Sequence, residues 1–287
     1  MGAKSLPDPP TTHLKIRNSM RTPFVLGAIL VLALSVISEG QTTAADFFNR
    51  GLERGKAKDA DGAIADYTKA IELEPKMVAA YVNRSKARNA KGDFDGAISD
   101  TTKAIEVGHP EIYLAYYHRG FARRRNHDLT GAISDYTKAL ELKPDHDLTL
   151  IGRAAARVET ADYDGAIQDY TKLLEVTKNS PRVYLWRGKV RWTKADYEDA
   201  IVDLTEAIKV APDILDAYWY RADSRRMLKD YPGAIADYSK AIELNPTNPD
   251  FYRNRAKAYR ALKKFAFAVT DEKKAAELVK RPGGSQF

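Results

Sequence analysis

Seven aspartates recur along this 287-residue chain, Asp66, Asp100, Asp135, Asp169, Asp203, Asp237 and Asp271, at separations of 34, 35, 34, 34, 34 and 34 residues. Sixteen residues before each stands an arginine: Arg50, Arg84, Arg119, Arg153, Arg187, Arg221 and Arg255. Many copies add a tyrosine directly after the aspartate and a lysine two further on, as in "DYTKA" from Asp66. A carboxylate beside a phenol and an ammonium could do general acid–base work, and a guanidinium could hold an oxyanion. That chemistry needs the groups at one point. Copies at a fixed spacing lie on separate segments, so the pattern reads as a fold repeated, not a site repeated.

No other constellation supplies chemistry. The chain has no cysteine, which excludes disulfides, thiolate zinc sites, cysteine nucleophiles and a cysteine-anchored lipoprotein. Its five histidines, His13, His109, His118, His127 and His146, show no metal-ligand spacing. "DADG" from Asp59 begins like a calcium loop, but the position of the final bidentate glutamate is Ala70. No glycine-rich phosphate loop or nucleophile elbow is present. We therefore expect no catalytic residue, no cofactor, no metal and no enzyme activity.

Composition fits a folded protein, with 44% hydrophobic and 30% charged residues. The net charge of +7 comes from 46 Lys and Arg against 39 Asp and Glu. These charges are mixed along the chain, without the concentrated basic face that nucleic acid needs, so no nucleic-acid partner is expected.

The one long apolar run is "FVLGAILVLALSVIS", residues 24–38. It is short for a bilayer span, follows Lys15, Arg17 and Arg21, and ends in the small-residue flank Ser38-Glu39-Gly40. Residues 1–40 therefore read as a signal peptide, or as a membrane anchor if uncleaved. The chain would be exported, periplasmic or secreted in a bacterium, touching membrane only through this segment. Met20 offers a second start, giving a compact signal peptide with a one-arginine n-region.

The elements that carry the repeat are helical. Each unit centres on an alanine of "GAI" or its variants: Ala63, Ala97, Ala132, Ala166, Ala200, Ala234 and, in a weaker "FAV" copy, Ala268. Apolar residues follow at the helical spacing Ala63, Ile64, Tyr67, Ala70, Ile71, and a proline closes most copies (Pro75, Pro144, Pro212, Pro246). Upstream, Tyr81, Arg84, Ser85 and Arg88 mark a second helical stripe. Each unit is a helix hairpin, and a fixed period near 34 means stacked units. The single spacing of 35 has its extra residue at Gly108-His109.

With the aromatic sixteen residues before the alanine and a small residue twelve before it, the unit resembles the tetratricopeptide repeat. The resemblance covers about residues 44–280 and implies an all-α solenoid of tandem helix-turn-helix units, wound as a right-handed superhelix. It also implies that the first helix of each unit lines a concave groove for a partner protein or peptide. The expected layout is a 41–280 solenoid of seven units with a disordered tail, 281–287.

The repeated arginines lie on the packed stripe of the first helix, where an unpaired charge is very costly. The aspartates can supply partners, and a planar guanidinium suits a carboxylate. The expectation is a structural ladder of ion pairs; the alternative is a polyanion-binding arginine ladder. A second arginine nine before the alanine (Arg54, Arg88, Arg123, Arg157, Arg191, Arg225) could use the aspartate four before it, which could equally cap the second helix. Groove positions in the first two units (Phe48, Leu52, Val82, Lys86, Asn89) carry little information. Later units place Tyr117, Phe121, Arg124, Lys189, Trp192, Trp219, Arg226, Arg253 and Lys257 there. Aromatics interleaved with cations suit an acidic peptide with apolar anchors. The family's chaperone-binding carboxylate clamp is absent, because the equivalent pairs are Phe48/Leu52, Val82/Lys86 and Tyr117/Phe121.

Overall fold

The computed structural model describes residues 42–108 and 111–280. The candidate signal or anchor, most of the extra-residue loop at His109 and the 281–287 tail lie outside the described residues. Within them, fourteen helices form seven hairpins. The pairs are α1 (Ala44–Lys56) with α2 (Ala60–Leu73), α3 (Val78–Lys91) with α4 (Phe94–Val107), and α5 (Tyr113–Arg125) with α6 (Leu129–Leu142). Next come α7 (Asp147–Glu159) with α8 (Tyr163–Thr177) and α9 (Pro181–Thr193) with α10 (Tyr197–Val210). Last are α11 (Leu215–Met227) with α12 (Tyr231–Leu244) and α13 (Pro249–Ala261) with α14 (Phe265–Lys280). The fold is an all-α tandem array of helix-turn-helix units.

Each hairpin turns by the same device. The residue five before the reference alanine takes a positive φ in every unit: Lys58, Gly92, His127, Ala161, Ala195, Lys229 and Lys263, between 59° and 81°. Glycine adopts this at no steric cost; the other six residues are held there by the packing of the two helices. The next residue then caps the second helix. Asp59, Asp93, Asp128, Asp162 and Asp230 each accept from the backbone N–H of a glycine three residues on, at 2.9–3.0 Å. A Cβ on those glycines would lie 2.1–2.2 Å from the capping carboxylate, so the cap and the glycine require each other. The fifth hairpin carries Asp199 in place of that glycine, and Asp196 there makes no cap bond.

The reference alanines Ala63, Ala97, Ala132, Ala166, Ala200, Ala234 and Ala268 are 0% exposed. Having only a methyl group, they let the two helices of a hairpin and the next first helix approach closely. First helices of successive hairpins also touch, α1 to α3, α3 to α5, α5 to α7, α9 to α11 and α11 to α13. Their side chains therefore share a face.

Candidate functional site

The arginine–aspartate set forms a repeated network. Arg84 donates through Nε and Nη2 to both oxygens of Asp100, at 2.9 and 2.6 Å. Arg119 binds Asp135 in the same fork, Arg187 binds Asp203, Arg221 binds Asp237 and Arg255 binds Asp271. Arg153 with Asp169 and Arg50 with Asp66 are skewed versions. One turn on, Arg88, Arg123, Arg157, Arg191 and Arg225 bring Nη1 to 2.7–2.8 Å from the second oxygen of the same aspartate, and Arg54 reaches 3.2 Å. Six of the seven aspartates thus serve two arginines, while Asp271 serves Arg255, with Tyr259 standing where the second arginine would be. The aspartates four before the alanine cap their helices and stand only 3.3–3.9 Å from the second arginine in five units.

A third partner was present in the sequence and not read there. The remaining Nη1 of Arg84, Arg119, Arg153, Arg187, Arg221 and Arg255 donates to Thr68, Thr102, Thr137, Thr171, Thr205 and Ser239 of the preceding hairpin, at 2.8–3.2 Å. The signal is a hydroxyl five after the reference alanine in six units, with Lys273 in the seventh, which has no described helix after it. These six arginines are 12–18% exposed, whereas Arg50, at the start of the array, is 51% exposed. The Arg50 fork holds the Asp66 carboxyl below the usual carboxylate range.

The groove-position residues divide into engaged and open groups. On α11, Asp223 is 8% exposed and collects donors from three side chains. Trp192 Nε1 reaches its Oδ2 at 3.0 Å, while Arg226 Nε at 2.9 Å and the Tyr238 hydroxyl at 3.1 Å share its Oδ1. The rings of Trp192, Trp219 and Tyr220 pack together with centroids 4.5–6.2 Å apart. Trp192 and Arg226, read from the sequence as contacts for a partner, thus have their polar groups committed within the chain. Burial pushes the Tyr238 hydroxyl above its ordinary pKa, helped by the Asp223 charge.

Tyr117 packs half-buried against Tyr136 and His146, and Phe121 is half-buried beside it in α5. Arg124 lies 3.5 Å from Glu159. Lys189 is exposed, with Nζ 5.5 Å over the Tyr220 ring. Arg253 and Lys257 are exposed, holding Asp250 at 2.7 Å and Asn254 at 3.0 Å.

At the other end, α1, α2 and α3 enclose a cavity of about 570 Å³. Leu52, Ala87 and Ala90 line it, Tyr67 and Gly55 border it, and Lys56, Lys58 and Lys86 stand around it. Of these, Leu52 and Lys86 are among the groove positions of the first two units that carried little information in the sequence. Among the described residues no His, Asp or Glu cluster suits a metal ion, and no helix is long and apolar enough to cross a membrane.

Family models described as tetratricopeptide repeat match residues 48–106, 90–147 and 181–214, and one described as TPR repeat matches 222–263. The chain belongs to the tetratricopeptide repeat family. Among solved structures it is similar to a tetratricopeptide repeat protein from Parabacteroides merdae, at 22% identity over 83% of this chain and 94% of that one, with a TM-score of 0.58. It is similar to MamA at 25% identity over 56% of this chain and 94% of that one, with a TM-score of 0.54. A third is YrrB, described as a TPR protein with an unusual peptide-binding site, at 17% identity over 72% and 97%, with a TM-score of 0.57. No curated protein sequence matches the chain. In tetratricopeptide terms the ladder lies between the two helices of each repeat, and the cavity opens among the first helices of repeats one and two.

Proposed function

We propose that this chain is an exported, non-catalytic scaffold that holds a partner protein or peptide along the shared face of its first helices. Proteins of this repeat family act as scaffolds for proteins and peptides. The observation that carries the reading is a division between two sets of cations. The repeated arginines are saturated by carboxylates and hydroxyls inside the array. Lys189, Arg253 and Lys257 stand exposed on the first helices instead. A partner met by that face would be acidic with apolar anchors, since rim cations steer and aromatic surfaces anchor. The polyanion alternative needs guanidiniums turned to solvent, which the engaged ladder offers only at its start, in Arg50 and Arg54.

Affinity capture with the full chain tests the scaffold. A Lys189→Glu, Arg253→Glu, Lys257→Glu variant should lose partners that the parent retains; retention of every partner would reject this face. Salt-sensitive heparin binding that survives the same variant would favour the arginine alternative. Export rests on the 24–38 run and its flanks, and N-terminal sequencing of the mature protein tests it. A mature start at or before Met20 would remove the cleaved-signal reading.

A further inference from the structure

Six of the seven hairpins set an aromatic ring against the first arginine of the ladder, and the fourth does not. Sixteen residues before the reference alanine stand Phe47, Tyr81, Tyr116, Tyr184, Tyr218 and Tyr252, with Leu150 in the fourth hairpin. Each ring meets the guanidinium of the arginine three residues on, 4.8–5.8 Å from its centroid. The tyrosines also lie near the lysine six after the alanine. Lys103, Lys138 and Lys240 are held above the ordinary ammonium pKa by hydrogen bonds to Glu106, Glu141 and Glu243 and, more weakly, by Tyr81, Tyr116 and Tyr218.

Beside Arg153, where the ring is missing, a cavity of about 390 Å³ lies between the second helices α6 and α8. Leu140 and Leu150 supply its apolar wall. Its charged residues are three cations, Arg153, Arg157 and Lys172, against two carboxylates, Glu141 and Asp169, a net charge of +1. Leu173 replaces the alanine found seven after the reference position in the other hairpins, and it packs in the core with Leu150. The chain thus refills the inner part of the missing ring's place, and the part bordered by Arg153 and Lys172 stays open. The N–H groups of Arg153 are engaged by Asp169 and Thr137, so what it offers a ligand is its planar face.

We propose that this cavity binds a small single-ring aromatic monoacid: the ring packs on Leu140 and Leu150 against the Arg153 guanidinium, and the carboxylate meets Lys172. The ligand does for the fourth hairpin what the chain's own ring does in the other six. The volume suits a small ligand, and the net charge of the lining suits one carboxylate. Lys172 is held only by an exposed pair with Glu175, which an incoming acid displaces at little cost. The site faces the second helices and shares no residue with the groove positions of the first helices, so it stands independently of the scaffold reading.

The test is an NMR titration of the full chain with phenylacetate, with cyclohexylacetate and phenethylamine as controls. Saturable binding should move the amides of Leu150, Arg153 and Lys172. Cyclohexylacetate keeps the acid and the apolar bulk without a π face, and should bind about threefold to tenfold more weakly. Phenethylamine should not bind. Lys172→Glu should weaken phenylacetate about tenfold, by loss of a charged hydrogen bond. Leu150→Tyr with Leu173→Ala writes the other hairpins' pair into the fourth and should abolish binding. Thermal unfolding shows that each variant keeps the fold, and Lys172→Glu, an exposed change, decides if the double variant does not fold.

No saturable shift of these amides with phenylacetate, equal binding of either control, or full affinity in Lys172→Glu overturns the proposal. Phenylacetate binding retained in a folded Leu150→Tyr, Leu173→Ala variant overturns it as well. Shifts gathered in α1, α2 and α3 instead assign the ligand to the other cavity and overturn it equally.

Discussion

Around Tyr238, in the sixth hairpin, Trp192 and Arg226 meet on one buried carboxylate, and the face is closed by the chain's own side chains. Around Tyr67, in the first, Leu52 and Gly55 leave the same space empty. The hairpin backbone, the capping aspartate and the arginine fork are common to both. What differs is two side chains on the first helix. A repeat fold therefore separates its two tasks by position: residues facing the second helix keep the unit folded, and residues eleven and eight before the alanine decide whether the unit is sealed or open.

The largest effect should come from breaking what the hairpins share. Asp135→Asn leaves Arg119 and Arg123 short of a carboxylate in a buried setting, and should cost about 3–5 kcal/mol. Asp66→Asn should cost visibly less, because Arg50 is 51% exposed and water can replace the lost partner. Lys138→Gln, which touches only an exposed pair with Glu141, should cost under about 1 kcal/mol. Urea or thermal unfolding measures all three. Equal losses at Asp135 and Lys138 would remove the ladder from the account of stability.

The second test uses pH and the open end. His118, on α5, is pushed down to about 4 by burial, with the charges of Lys86 and His146 adding to it. Its folded pKa lies below the ordinary 6.5, so the folded state holds the neutral ring while the unfolded chain takes up a proton. Stability from this group is complete above pH 6.5 and is lost as pH falls from 6.5 to about 4, by about 3 kcal/mol in all. His118→Gln should flatten that part of the pH–stability curve. Lys86→Glu, at the edge of the open cavity, should raise the His118 pKa in an NMR titration; no change would mean burial acts alone.

Next, the two regions can be exchanged. Asp223→Leu with Arg226→Gly writes the first hairpin's pair into the sixth. The Tyr238 hydroxyl and the Trp192 indole N–H then lose their acceptor, for about 2 kcal/mol. Trp192 emission should shift to longer wavelength as water reaches the ring. An unchanged spectrum with unchanged stability would show that Asp223 does not close the face.

The array and its helices were legible because they repeat: a period, an alanine and an arginine with an aspartate sixteen residues on are visible in one dimension. The hydroxyl five after the alanine was equally visible, but its partner lies in the next hairpin, so its role needs the stacking to be known. Asp223 and Gly55 were not legible. Asp223 gains meaning from Trp192, thirty-one residues away, and Tyr238, fifteen away, which only the stacked helices bring together. Gly55 acts by lacking a side chain, and a small residue in a helix pattern gives no sign of what it fails to cover.

The smallest expected effect concerns the cap, where the first and fifth hairpins differ. Asp59 accepts from Gly62 N at 2.9 Å, while Asp196, with Asp199 in place of that glycine, makes no cap bond and instead holds Lys194 at 3.0 Å. Asp59→Ala should therefore cost about 1 kcal/mol, the usual worth of an N-cap, and Asp196→Ala should cost almost nothing. Asp199→Gly removes the Cβ that blocks the cap, so Asp196→Ala in that background should cost about 1 kcal/mol as well. The coupling in this double-mutant cycle, read by urea unfolding, isolates the cap from the helix propensity of glycine, which enters both arms equally. A coupling near zero would mean that the fifth turn is set by Lys194 and Arg191 rather than by the missing glycine, since Arg191 Nη2 stands 3.5 Å from Asp199.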